Sequence, residues 1–75
     1  MTENEIFDSV AELIADRTEC DKSTITRDSS FKDLGIDSLD TVDLLMELED
    51  KLGISIELNQ KVSTVGDLTA FIAAL

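Results

Sequence analysis

Residues 37–53 read D-S-L-D-T-V-D-L-L-M-E-L-E-D-K-L-G, and this stretch decides the fold. Asp37 offers a side-chain oxygen to the amides of a helix, and Asp40 stands in the first turn, where the helix dipole favours an acid. Gly53 is suited to close it. The pattern therefore predicts a helix from Ser38 to Leu52. Advancing about 100° per residue from Ser38, Leu44, Leu45, Leu48 and Leu52 share an arc of roughly 240–340°, the width of a core-facing stripe. Leu39, Val42 and Met46 gather at roughly 40–100°, with Asp40, Asp43, Glu47 and Asp50 between the stripes at roughly 120–200°. A helix in a small bundle needs one apolar stripe, and this one has two.

The second stripe permits two readings. It can pack beneath the preceding loop, against Phe31 or Ile36. It can equally be an exposed apolar strip rimmed by acids, a form common to protein-binding surfaces. Methionine suits a surface that adapts to several partners. The acids would speed and orient an encounter more than tighten it, although a charge run of this kind is often just a solvated face.

Outward from this helix, the chain supplies two more. Thr2 followed by Glu5 is a capping-box pattern, and Ile6, Phe7, Val10, Leu13 and Ile14 recur at helical spacing, predicting a first helix over about residues 3–16. From Arg17 to Ile36 the periodicity fails, and isolated Ile25, Phe31, Leu34 and Ile36 suggest a long loop pinned to the core. A loop of that length in a compact domain is often functional. After the short extended piece I-S-I-E-L there is room for one helical turn near Leu58–Val62. Thr64 with Asp67 is another cap, opening a last helix whose apolar face is Val65, Leu68, Phe71, Ile72 and Leu75. The expected fold is all-α: a single domain over residues 1–75, a small antiparallel four-helix bundle with three main helices, one short one and a long first loop.

Composition narrows the function. With 75 residues the chain has room for one thin core and no deep active site. Seventeen acids against six bases give a net charge of −11, which repels phosphate backbones and anionic headgroups. Nucleic acid and membrane insertion are therefore set aside, and proteins with basic patches are favoured. The only cysteine, Cys20, allows no internal disulfide and no cysteine-based zinc site, and is read as a small, partly buried filler. No apolar run approaches the roughly 18 residues of a membrane span. The acidic start M-T-E-N-E is unlike a signal or transit peptide, so a cytoplasmic monomer is expected.

Ser38 could be a nucleophile, a helix cap or an attachment point. Nucleophilic catalysis needs a base, usually histidine, and an oxyanion hole. The chain has no histidine, and no cleft is expected to desolvate Lys32 or Lys51 as a substitute. The string G-I-D-S-L superficially resembles a G-D-S-L hydrolase motif, but an isoleucine interrupts it. Asp37, Asp40 and Asp43 lie three apart on a helix, not in the alternating loop spacing of an EF-hand, so no specific metal site is expected. No intrinsic enzyme activity follows from these residues. A structural serine in a first helical turn is common. A phosphodiester on Ser38 would also be well placed, among the free amides and dipole of a helix N-terminus and beside both the second stripe and the acids.

The stretch D-L-G-I-D-S-L-D-T-V-D-L-L-M-E-L-E closely resembles the modification motif of acyl carrier proteins of bacterial-type fatty acid synthesis. The likeness extends over nearly the whole chain, through the Ser30-Phe31 anchor of the long loop and the T-V-x-D-L start of the last helix. The resemblance implies that Ser38 carries 4'-phosphopantetheine, with Asp37 beside it, and that its thiol holds growing acyl chains. It implies that Asp37, Leu39, Asp40, Val42, Met46 and Glu47 contact partners. Those partners would be a phosphopantetheinyl transferase and the ketoacyl synthases, reductases, dehydratases and acyltransferases of fatty acid synthesis. Leu44, Leu45 and Leu48 would line a core that shelters an acyl chain. Two departures leave room for a carrier of a polyketide or other specialised pathway: the segment from Ile54 to Val65 is short and lacks proline, and no polar tail follows Leu75. A rival reading of another class is an unmodified acidic adaptor using the Leu39/Val42/Met46 strip.

Overall fold

A computed structural model describes residues 2–57 and 61–75. Three α-helices form in the order expected: α1 (Glu3–Thr18), α2 (Ser38–Leu52) and α3 (Val65–Ala73). Each opens with a full capping box, Thr2 with Glu5, Asp37 with Asp40, and Thr64 with Asp67. In each box the cap side chain accepts from the third helical amide while the third side chain accepts from the cap amide, so two orphan donors are satisfied at once. Gly53, at φ 68°, ends α2. The predicted turn near Leu58–Val62 falls largely on residues 58–60, outside the described residues. Lys61 and Val62 beyond them are not helical.

α1 runs two residues past its predicted end. No glycine stops it, and Glu19 adopts the left-handed conformation itself, at φ 56°. The amide of Cys20 then donates to the Ala15 carbonyl at 3.1 Å. Cys20 is half-buried against the core, where the Thr18 hydroxyl donates to its sulfur at 3.0 Å.

α2 and α3 each pack on α1, and among the described residues their backbones do not pack on each other. The core draws Ile6, Val10 and Ile14 from α1, Leu44, Leu45 and Leu48 from α2, and Val65, Leu68 and Ile72 from α3. Ile25, Phe31 and Ile36 reach the same core from the long loop, as their isolation in the sequence suggested, and Leu34 packs against its edge. That loop is more ordered than its composition implied. It holds a 3₁₀ turn at Lys22–Thr24, capped by Asp21. Arg27 ties it to α1 through Glu3 and Asn4, with its guanidinium over the Phe7 ring.

The loop is also stapled to the approach of α3. Ser30 and Thr64 form an antiparallel bridge. The Phe31 amide donates to the Ser63 carbonyl at 3.0 Å and the Val65 amide to the Ser29 carbonyl at 2.9 Å. The Gly66 amide donates to the Arg27 carbonyl at 2.9 Å, so close an approach that a Cβ on residue 66 would stand 2.8 Å from that oxygen. Gly66→Ala should therefore force this junction apart and destabilise the domain by about 1–3 kcal/mol, as overpacking does. Chemical denaturation checks it, and an unchanged midpoint would show that the junction yields freely.

Candidate functional site

Ser38 is the first residue of α2 and is exposed. It is not the cap. Asp37 takes that role, its Oδ1 accepting from the Asp40 amide at 2.9 Å while the Thr41 hydroxyl donates to the Asp37 carbonyl. The preceding chain is turned toward the helix by Gly35, at φ 76°, a conformation that suits glycine. The Ile36 side chain is buried just before it. The seryl hydroxyl thus heads a helix whose leading amides are available to an anion.

A cleft of about 710 Å³ opens beside Ser38. Phe31, Ile36, Val42, Leu45 and Val62 give it apolar walls, and Lys32 and Lys61 stand at it as well. It lies between α2, the end of the long loop and the segment leading into α3. Lys32 borders this cleft but stays exposed, so the cleft does not desolvate it. Leu45 faces it while Leu44 and Leu48 are wholly buried in the core. Val62 and Lys61 are wall residues that no sequence pattern singles out, because the chain around them lacks periodicity.

The second stripe of α2 is exposed: Leu39 by 78%, Val42 by 54% and Met46 by 62%. Packing beneath the loop is excluded for these three, since Phe31 and Ile36 turn into the core instead. The acids alongside are at least partly exposed but not all unpaired. Arg17 of α1 reaches across and places Nη2 3.1 Å from Asp40 Oδ1 and 3.0 Å from Asp43 Oδ2, with Nη1 3.9 Å from Glu47 Oε1. Asp37, Leu39, Asp40, Val42, Met46 and Glu47 lie along α2 from its cap to its middle, and Asp40 and Glu47 among them meet an arginine that the sequence pattern puts in the loop. The available signal was that Arg17 is the single base among the first 21 residues.

The guanidinium, with the Asp37 amide assisting, holds the Asp40 carboxyl below its ordinary value of 3.8. Thr2 lowers Glu5 and the Ser23 amide lowers Asp21 in the same way at their caps. A carboxyl depressed in the folded state contributes stability above its unfolded value and loses it as pH falls through the folded one. Asp40→Asn should therefore lower the denaturant midpoint at pH 7, and the difference from native protein should shrink as pH falls through the depressed value of the folded carboxyl. An effect that stays constant as the pH is lowered would show that the ionised form is not what matters. Among the described residues no group of acids, cysteines or histidines could hold a metal ion, and no helix is long and apolar enough to cross a membrane.

With this geometry in place, the family comparison is decisive. Residues 8–72 match the family model described as the phosphopantetheine attachment site. The chain belongs to that family. It is a carrier domain, its covalent cofactor is 4'-phosphopantetheine, and such domains interact with a phosphopantetheinyl transferase and with pathway enzymes. The unmodified adaptor reading is thereby displaced.

Proposed function

We propose that Ser38 is the attachment point and that the chain is an acyl carrier protein serving fatty acid synthesis. One observation carries the reading: the Ser38 hydroxyl is exposed at the head of α2, is not used by the helix cap, and stands at the mouth of an apolar cleft. The residues present fit the cofactor. The leading amides of α2 and its dipole would hold the phosphodiester. Phe31, Ile36, Val42, Leu45 and Val62 would exclude water from an acyl chain, with Lys32 and Lys61 at the polar margin. When bound, the group supplies a thiol on a long arm, to which acyl chains attach as thioesters.

The protein's own part is address and shelter. Leu39, Val42 and Met46 offer partners an apolar strip, and Asp37, Asp40 and Glu47 offer charge beside it. Docking places the arm at the partner's active site at high effective concentration. A carrier serving several enzymes needs fast release, so modest affinity with electrostatic steering suits it. With no histidine and a hydroxyl destined for esterification, the chain brings no catalytic group of its own.

The test is to incubate the native chain with coenzyme A and a phosphopantetheinyl transferase, weigh it, and map the added mass. One phosphopantetheine on the peptide containing Ser38 supports the assignment; no gain, or a gain elsewhere, overturns it. Acceptance of a malonyl group from a fatty-acid-type acyltransferase then supports the pathway.

A further inference from the structure

Arg17 sits in the last turn of α1, yet its guanidinium spans three carboxylates of α2. Among the described residues it is the base that meets this face: Lys22 pairs with Asp8, Arg27 with Glu3, and Lys51 with Glu12. The Arg17 side chain is only 26% exposed, whereas Asp40, Asp43 and Glu47 remain 39–62% exposed. The acids are thus reachable from solvent but already engaged from behind. A guanidinium forks its donors between carboxylates in a way an ammonium does not, and being tethered it is present at high local concentration. Any partner base approaching Asp40 or Asp43 meets lone pairs that are partly committed.

We propose that Arg17 is a resident competitor on the docking face, whose guanidinium occupies the carboxylates that a partner's arginines and lysines would use. This rests on the reading of that face as the partner surface. Arg17 fastens α2 to α1 and at the same time weakens recognition by basic partners. It sets specificity by favouring partners that also engage the Leu39/Val42/Met46 strip over those that offer charge alone. Loss of the guanidinium leaves three neighbouring acids with nothing between them, so the fold weakens while its attraction for cations rises.

Two probes test this on the full chain. The first is a fluorescent hexa-arginine peptide, titrated into native protein, Arg17→Gln and Lys22→Gln. The last makes the same change in net charge away from the face. Arg17→Gln should bind roughly 3- to 10-fold more tightly than Lys22→Gln at low salt, about the effect of one or two exposed ion pairs. The gain should vanish near 0.5 M salt. The second probe is a phosphopantetheinyl transferase, for which Arg17→Gln should lower KM by a similar factor at unchanged kcat. If Arg17→Gln does not fold by circular dichroism, Arg17→Lys replaces it and should bind the peptide with an affinity between native and that expected gain. Binding no tighter than Lys22→Gln, or a raised KM, overturns the proposal. Failure of the transferase to modify native protein would overturn the assignment of Ser38, and the peptide arm would still decide on Arg17.

Discussion

Leu48→Ala is expected to bring the domain close to unfolding at physiological temperature. Leu48 is fully buried, in a core that collects Leu44, Val10, Ile14, Val65 and Leu68 at the same negligible exposure. Truncating such a leucine removes its transfer free energy and leaves a cavity, together costing about 2–5 kcal/mol. A chain this short buries only about 60% of its unfolded surface and has modest stability to lose. Met46→Ala, two residues away, removes a comparable side chain that is 62% exposed. It should shift stability by no more than about 0.5 kcal/mol. Urea unfolding of the two variants measures the contrast. Equal losses would mean that the inward and outward stripes of α2 have been assigned wrongly.

That assignment shows what the sequence could and could not reveal. The helices were legible because their determinants are local. A capping box needs only a side chain and the amide three residues on, and Thr2–Glu5, Asp37–Asp40 and Thr64–Asp67 all formed where the spacing placed them. The two stripes of α2 were legible from the helical period. Which of them faced water was not, because that depends on where Phe31 and Ile36 go, and both fold into the core. The end of α1 was misplaced because Glu19 took a conformation that composition assigns to glycine.

Contacts across the chain were the least visible. The bridge between Ser30 and Thr64 is made by backbone groups, which leave no pattern in side-chain chemistry. Arg17 meets acids 23 or more residues away, and a lone base at a helix end is equally compatible with a solvated one. At the candidate site, the hydroxyl, its capping neighbour and the membership of the Leu39/Val42/Met46 strip came from the sequence, and the strip's exposure came from the fold. The far wall of the cleft, Val62 with Lys61, came from the fold, because aperiodic residues acquire a place only once the loop is stapled to the approach of α3.

Ser38→Ala should abolish attachment of the arm completely and leave the domain otherwise intact. Removing a serine from a first helical turn often costs stability because the hydroxyl is the cap. Here Asp37 holds the Asp40 amide and Asp40 reaches back toward the Asp37 amide, so the cap survives the substitution. Alanine is also the better helix former. The unfolding midpoint should therefore match or slightly exceed that of native protein, in contrast to Asp37→Ala, which loses the cap at about 1 kcal/mol. The strip of Leu39, Val42 and Met46 is untouched, so unmodifiable Ser38→Ala should still dock and should inhibit the transferase competitively, with an inhibition constant near the KM of the native substrate. That outcome would separate mooring from address: on the proposed reading one atom decides whether the arm is gained, and a different set of side chains decides whether the enzyme is met. Modification that persists on another of the chain's serines would refute the first half. Loss of inhibition with the fold preserved would refute the second, since the hydroxyl would then be part of what the enzyme recognises.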